Sequence, residues 1–243
     1  MGRGKRDAVP DMVKPPNLQT QGVERGSEKD ALIDGKKSQH DENQVTHTEI
    51  DLGLDISTSV VGVCFLDHKS GKLVKLGSVK LNTVNCDNLW KKADRFEKEI
   101  GELLVELGVG VVVSRVFVEA NAKMFTPGFS SADTILTLAK FNGICSYIMH
   151  NLLKQRSTTP GPIIDVNVVS ARSRLGIKID RKDKTKTTKE KVREQLLLLY
   201  PNIPIKTHVA KTGKNKGQTV PDKEMEDVLD AFVIVAGGRV LFP

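Results

Sequence analysis

"TEIDLGLDISTSVVGVCF", Thr48 to Phe65, decides how the whole chain is read. "IDLGLDI" and "SVVGVCFLD" are apolar runs of strand length, parted by the small polar turn Ser57-Thr58-Ser59. Asp55 stands at the tip of the first run. A carboxylate there is costly to bury unless it is paired or meets a cation. Downstream, "HKSGK" reads as a tight turn and "KLVKLGSVKL" as a third strand. Three strands with such short connections predict an antiparallel meander.

The pattern then changes period. In "NLWKKADRFEKEIGELLVELG", Leu89, Phe96, Ile100, Leu103, Leu104 and Leu107 fall at helical spacing. "VGVVVSRVFVEA" is a β-branched run ending near Glu119, apolar enough to predict a strand covered on both faces. "SSADTILTLAKFNGICSYIMHNLLK" predicts a helix capped by Ser130, with Asp133 three residues on as in a capping box. Its predicted inner stripe is Leu138, Phe141, Cys145, Ile148 and Leu152. Gly143 in mid-helix costs about 1 kcal/mol against Ala, which predicts close packing there. "PIIDVNVV" reads as a fifth strand and "TTKEKVREQLLLLYP" as a capped helix stopped by Pro201. "KTHVAKTGKNKGQT" reads as a basic loop, and "DKEMEDVLDAFVIVAGGRVLF" as a final helix with acidic first turns. The order β-β-β-α-β-α-β-α-α predicts an α/β domain: a five-stranded mixed sheet, three strands antiparallel and two parallel, with helices on both faces.

Residues 1–47 are polar, without a periodic apolar face, and balance eight basic against eight acidic side chains. Such a segment predicts a disordered tail before a folded domain over 48–243. The formal charge of +7 is concentrated elsewhere. Residues 170–220 carry fourteen Lys/Arg against four Asp/Glu, which points to a polyanionic partner, nucleic acid. No apolar run is long enough to span a membrane, and the N-terminus has no apolar signal region. Cys64, Cys86 and Cys145 are scattered and form no CxxC pair, which predicts free thiols in a reducing, intracellular compartment.

Asp55 ends the first strand and Glu119 the fourth; as parallel neighbours they would meet at one sheet edge. The last helix adds Asp230 with either Glu226 or Asp227, since residues three or four apart share a helix face. Carboxylates gathered at one point repel each other and take up protons unless cations bind. Oxygen ligands of this kind suit Mg²⁺ or Mn²⁺. Two such ions about 4 Å apart can clamp a phosphodiester, activating water on one side and stabilising the leaving oxygen on the other.

On "GLDISTSVVGV", "FVEANAKMFTPGFSSADTILTLAKFNG" and "EDVLDAFVIV" the chain resembles the RuvC-type Holliday-junction resolvases, especially their bacteriophage relatives, over about residues 50–240. The resemblance implies a ribonuclease H-like fold and a homodimeric endonuclease of DNA recombination and repair. Such an enzyme nicks opposite strands of a four-way junction symmetrically, leaving 5′ phosphate and 3′ hydroxyl ends. It implies that Asp55, Glu119, Asp227 and Asp230 ligate two Mg²⁺ or Mn²⁺ ions per site, and that Lys189 supports cleavage. Lys123, Met124 and Phe125 fall in the region that wedges into the junction core. Arg172, Arg174, Lys178, Arg181, Lys182, Lys184 and Lys186 read as contacts to the DNA backbone. Neither a membrane nor a nucleotide cofactor is implied.

Three rivals stand beside this. A non-catalytic nucleic-acid-binding module could keep the fold, and a ribonuclease H could act on RNA–DNA hybrids. "DISTSVVGV" and "VAGGRV" also resemble the phosphate and adenosine loops of actin-like ATPases and sugar kinases, but that architecture needs a second domain for which this chain is too short.

Overall fold

The computed structural model describes residues 47–120, 131–157, 159–180, 185–213 and 216–243. The predicted tail therefore lies, but for His47, outside the described residues, as do Ser130 and the segments 121–130 and 181–184. Strands β1 (Thr48–Ile56), β2 (Val60–Asp67) and β3 (Leu73–Lys80) precede helix α1 (Leu89–Glu106) and strand β4 (Val111–Glu119). Helix α2 (Ala132–Arg156), strand β5 (Ile163–Val166) and helices α3 (Val168–Arg174) and α4 (Thr188–Leu199) follow. Strands β6 (Thr207–Val209) and β7 (Thr219–Pro221) and helix α5 (Met225–Leu241) complete the chain. The main sheet runs β3-β2-β1-β4-β5, with β1–β2 and β2–β3 antiparallel and β1–β4 and β4–β5 parallel. This is the expected ribonuclease H-like mixed sheet.

Alternation along the strands sends side chains to two cores. Leu52, Leu54, Val116 and Val118 pack with α1 and α2, through Phe96, Ile100, Phe141 and Cys145. Cys64, Leu66 and Phe117 pack on the opposite face with α3, α4 and α5. Strand β4 is thus covered on both faces, as its composition predicts. Full burial of a side chain such as Phe117 contributes about 1.5–3 kcal/mol, so both faces hold the sheet.

Helix α5 is apolar on nearly every side because it lies between the sheet and α3. Glycines set how closely it approaches. A Cβ at Gly53 would meet the Ala231 carbonyl at 2.4 Å, and one at Gly62 would meet the Asp227 carbonyl at 2.0 Å. On the other flank Gly237 lies against Ala171, and Gly238 against the Phe117 ring. Side chains at these positions would wedge the helix away.

A buried ion cluster ties the far end of the sheet to the end of α5. Asp51, fully buried, accepts from Arg115 Nε and Nη2 at 3.0 and 2.9 Å, from Arg239 Nη1, and pairs with His68 Nδ1 at 2.9 Å. Arg239 also donates to the Asp67 and His68 carbonyls at 3.1 and 2.8 Å. Four elements meet on one carboxylate.

The structure corrects several expectations. The α2 cap is Ser131, whose hydroxyl accepts from the Thr134 N–H at 3.1 Å. Gly143 is exposed, and a Cβ there would meet nothing within 4 Å among the described residues, so they do not supply the expected close packing. Leu138 and Leu152 are only half-buried, and Met149 and Leu153 take their places in the core. Strand β5 stops at Val166 because Asn167 caps α3, its side chain accepting from Ser170 N–H at 2.9 Å. The basic "loop" is the hairpin β6–β7. Helix α4 starts as predicted, on a Thr187/Glu190 capping box. All three cysteines are free and buried. No helix among the described residues is long and apolar enough to cross a membrane.

Candidate active site

Register explains why Asp55 faces α5. Asp55 pairs with Gly62 across β1–β2, and cross-strand partners share a face. The absent Gly62 side chain is the space taken by the Asp227 backbone. On the other side of β1, Leu54 pairs with Val118, which brings Glu119 beside Asp55 on the same edge. Asp227 and Asp230, on the first turns of α5, complete the group.

The electrostatics record this convergence. The Asp55 carboxyl, nearly buried, is held well above the usual carboxylate range. Burial is the main cause, then a hydrogen bond and the charge of Glu119, then the charges of Asp230 and Asp227. Asp227 is also raised: burial leads, Lys189 opposes it, and Asp230, Glu226 and Glu224 add to it.

Two internal cations stand in the cluster. Arg172 Nη2 donates to Asp230 Oδ1 at 2.9 Å, while its buried Nε has no partner among the described residues. Arg172, expected on the DNA backbone, is thus turned inward, because α3 packs on α5 and carries it over Asp230. Lys189 Nζ lies 3.3 Å from Glu226. Burial works against the Lys189 charge, but Glu226, Asp227 and Asp230 outweigh it and hold the ammonium above its ordinary pKa. Glu226 faces Lys189, and the acids acting most on Asp55 are Glu119, Asp230 and Asp227.

Among the described residues, no three His, Cys, Asp or Glu side chains close into a ready metal-binding group. The donor set nevertheless fits a hard divalent cation: Asp55, Glu119, Asp227 and Asp230 offer only carboxylate oxygens, and the strain on Asp55 is of the kind a cation relieves. Closing around an ion requires carboxylates to turn from their present partners.

Several supporting residues carry no sequence signal of their own. Asn142 of α2, buried, donates from Nδ2 to the Glu119 carbonyl at 3.0 Å. Lys92 of α1 donates to the Thr58 carbonyl at 2.6 Å. Ser57 Oγ donates to the Val60 carbonyl at 2.7 Å and accepts from the Ser59 and Val60 N–H groups at 3.2 and 3.0 Å. The turn after Asp55 is therefore closed on its own hydroxyl.

Arg174 and Lys178 are exposed. Lys186 is exposed too, but ion-paired with Glu194 at 2.7 Å. Lys123, Met124, Phe125, Arg181, Lys182 and Lys184 lie outside the described residues.

Fold and carboxylate edge together define an α/β chain of ribonuclease H-like architecture with an acidic sheet edge. No protein-family model matches the chain, and no curated protein sequence does. Among solved structures it is similar to Thermus thermophilus RuvC in complex with a Holliday junction substrate, at 13% identity, covering 78% of this chain and 91% of that one, with a TM-score of 0.47. It is also similar to the yeast mitochondrial Holliday junction resolvase Ydc2, at 14% identity over 81% and 80% of the two chains, with a TM-score of 0.44. A ROK family glucokinase from Streptomyces griseus, in complex with glucose and AMPPNP, matches at 14% identity over 56% and 38%, with a TM-score of 0.25.

Proposed function

We propose that this chain is a structure-selective DNA endonuclease that resolves four-way junctions by paired symmetric nicks, leaving 5′ phosphate and 3′ hydroxyl ends. The observation that carries the reading is the meeting of Asp55, Glu119, Asp227 and Asp230 at one sheet edge, in a chain whose charge excess lies in the flanking segment. Those four would hold two Mg²⁺ or Mn²⁺ ions, which when bound supply an activated water and charge stabilisation at the leaving oxygen. Lys189, steered by Glu226, lies against the scissile phosphate as negative charge develops. Arg172 fixes the Asp230 carboxylate. Asn142 pins the Glu119 backbone, so both strand ends stay in register. Arg174 and Lys178 meet the phosphate backbone.

Paired nicks need two sites. Leu136, Gly143 and Tyr147 lie along one exposed face of α2, both large side chains 66% exposed. A second copy of the chain seated there accounts for a glycine with open space beside it. The wedge into the junction core falls to the segment holding Lys123, Met124 and Phe125.

The test is cleavage of a mobile four-way junction with Mg²⁺ or Mn²⁺, beside linear duplex, flap and RNA–DNA hybrid controls. Paired symmetric nicks, lost in Asp55→Asn with binding retained, are expected. Equal cutting of the hybrid refutes junction selectivity. The ion pairs on Asp230 and Glu226 favour one second reading, a non-catalytic junction-binding module. Binding without nicking under either metal would establish it.

A further inference from the structure

The β6–β7 hairpin is unused by the site as described, yet it is built onto it. Its register pairs Thr207 with Pro221, His208 with Val220 and Val209 with Thr219. Ala210 N–H donates to the Gln218 carbonyl at 2.9 Å and Gly217 N–H to the Ala210 carbonyl at 2.8 Å, continuing the ladder toward the tip. Gly213 and Gly217 adopt left-handed conformations, φ 78° and 83°, that turn the chain. At the base, Asp222 N–H donates to the Lys206 carbonyl at 2.9 Å and His208 Nδ1 meets Asp222 at 2.9 Å.

The base is fixed to the carboxylate edge by two routes. Asp222 leads directly into α5, five residues before Asp227. Glu224 pairs with Lys80 at 2.8 Å, and Lys80 lies opposite Val60, the residue on which the Ser57 turn closes. The hairpin therefore rises from the β3 side of the acid edge. Arg174 and Lys178 follow β5 in sequence, the strand at the opposite end of the sheet.

Its surface has one character. Residues 201–221 contain four lysines and one histidine and no Asp or Glu. Thr207, His208 and Val209 are all exposed, and Val220 and Pro221 of β7 are only half-buried, so no residue of the two strands is buried in a core. Two-stranded hairpins with so little to pack on are marginal in water, and like charges on one disfavour it further.

Lysines often guard an exposed strand edge against unwanted pairing. Here that explanation fails on position. Lys206, Lys211 and Lys216 lie at the base and in the tip, outside the paired residues Thr207–Val209 and Thr219–Pro221. None of the three makes an ion pair among the described residues. Lys206 and Lys211 are five residues apart, about 16 Å at strand rise, a span over which duplex DNA presents about nine charges.

We propose that the β6–β7 hairpin is a phosphate-tracking arm that holds a nucleic-acid duplex on the β3 flank of the acid edge through Lys206, Lys211 and Lys216. It rests on the nuclease reading and adds where the substrate lies: the duplex is gripped on both flanks of the carboxylates.

The test compares the full chain with a Lys206→Ala/Lys211→Ala/Lys216→Ala variant, in EDTA so that no cleavage intervenes. Binding to a four-way junction and to linear duplex is measured across a salt series. Each lost phosphate contact lowers the slope of log affinity against log salt by about 0.9. The variant is expected to lose about two to three units of slope on both DNAs, with its Tm unchanged. A Lys→Arg triple variant should keep the wild-type slope. If wild type binds DNA and the alanine variant keeps its slope, the arm is refuted and the nuclease reading stands. If wild type binds neither DNA, both fall.

Discussion

Gly62→Ala is the substitution that most directly joins the fold to the site. The added Cβ would stand 2.0 Å from the Asp227 carbonyl oxygen and 2.4 Å from its carbon, against an ordinary contact of 3.4 Å or more. Both neighbours are helix backbone, so no side chain can swing aside. The first turn of α5 must retreat by about 1–1.4 Å, and Asp227 moves with it, away from Asp55. Overpacking of this kind costs about 1–3 kcal/mol. For a domain of this size that lowers Tm by about 2–4 °C per kcal/mol. Misplacing catalytic groups by about 1 Å costs on the order of 100-fold in rate. The expected result is a folded protein with a modestly lowered Tm, junction affinity in EDTA within about threefold of wild type, and nicking reduced about 100-fold. The assay pairs a thermal melt with single-turnover nicking under saturating Mn²⁺. Wild-type nicking in a folded Gly62→Ala protein would refute the claim that α5 seating sets the acid cluster.

Other changes separate roles that the geometry assigns. Asn142→Ala leaves the part-buried Glu119 carbonyl without its Asn142 donor, a loss of about 1 kcal/mol; nicking should fall more than DNA binding, and equal losses would show a purely structural role. Arg172→Gln should slow nicking while leaving the salt slope of DNA binding unchanged, because the guanidinium serves Asp230; a slope reduced by about one would return Arg172 to the phosphate backbone. Asp51→Asn strands two arginines and should lower Tm by about 5–10 °C, taking about 2–4 kcal/mol for a buried charge stripped of its partner, with the arginines partly solvated. Asp55→Asn should abolish nicking yet raise Tm between pH 6 and 8; a lowered Tm across that window would refute the strained-carboxylate account.

The sheet was legible because its signals are local: period-two runs, short turns, and a β4 run too apolar for a one-sided strand. Asp55, Glu119, Asp227 and Asp230 were legible because each sits at an element end that topology sends to one edge. Arg172 was not. Its role depends on α3, whose seven residues follow β5 with only Asn167 to mark the boundary, and on Ala171 fitting against Gly237. With "PIIDVNVV" read as strand, Arg172 falls in a loop facing solvent. The hairpin was hidden for a related reason. Three paired residues per strand carry no alternation, and lysines and glycines read as loop. Gly143 misled in the opposite way: a mid-helix glycine suggests close packing, yet nothing among the described residues lies against it.

Asp51 and Asp55 sit four residues apart on one strand and one face, and their shifts run in opposite directions. Burial pushes Asp51 up, but Arg115 and His68 pull it further down, so its carboxyl ends below the ordinary range. An acid lowered on folding stabilises the protein above its unfolded value, about pH 3.9, and that stability is lost as pH falls through the lower folded value. For Asp55 burial and three acids all push upward. The unfolded chain releases this proton near pH 4 while the folded chain keeps it, so folding weakens as pH rises from there to the raised value. Packing does not require such an arrangement, since an amide would fill the same place without repulsion. The Asp55 proton relieves the repulsion, and an entering positive charge could replace it, since Arg172 and Lys189 are engaged by Asp230 and Glu226. A divalent cation entering there must displace the Asp55 proton, so its affinity should rise with pH until Asp55 is ionised.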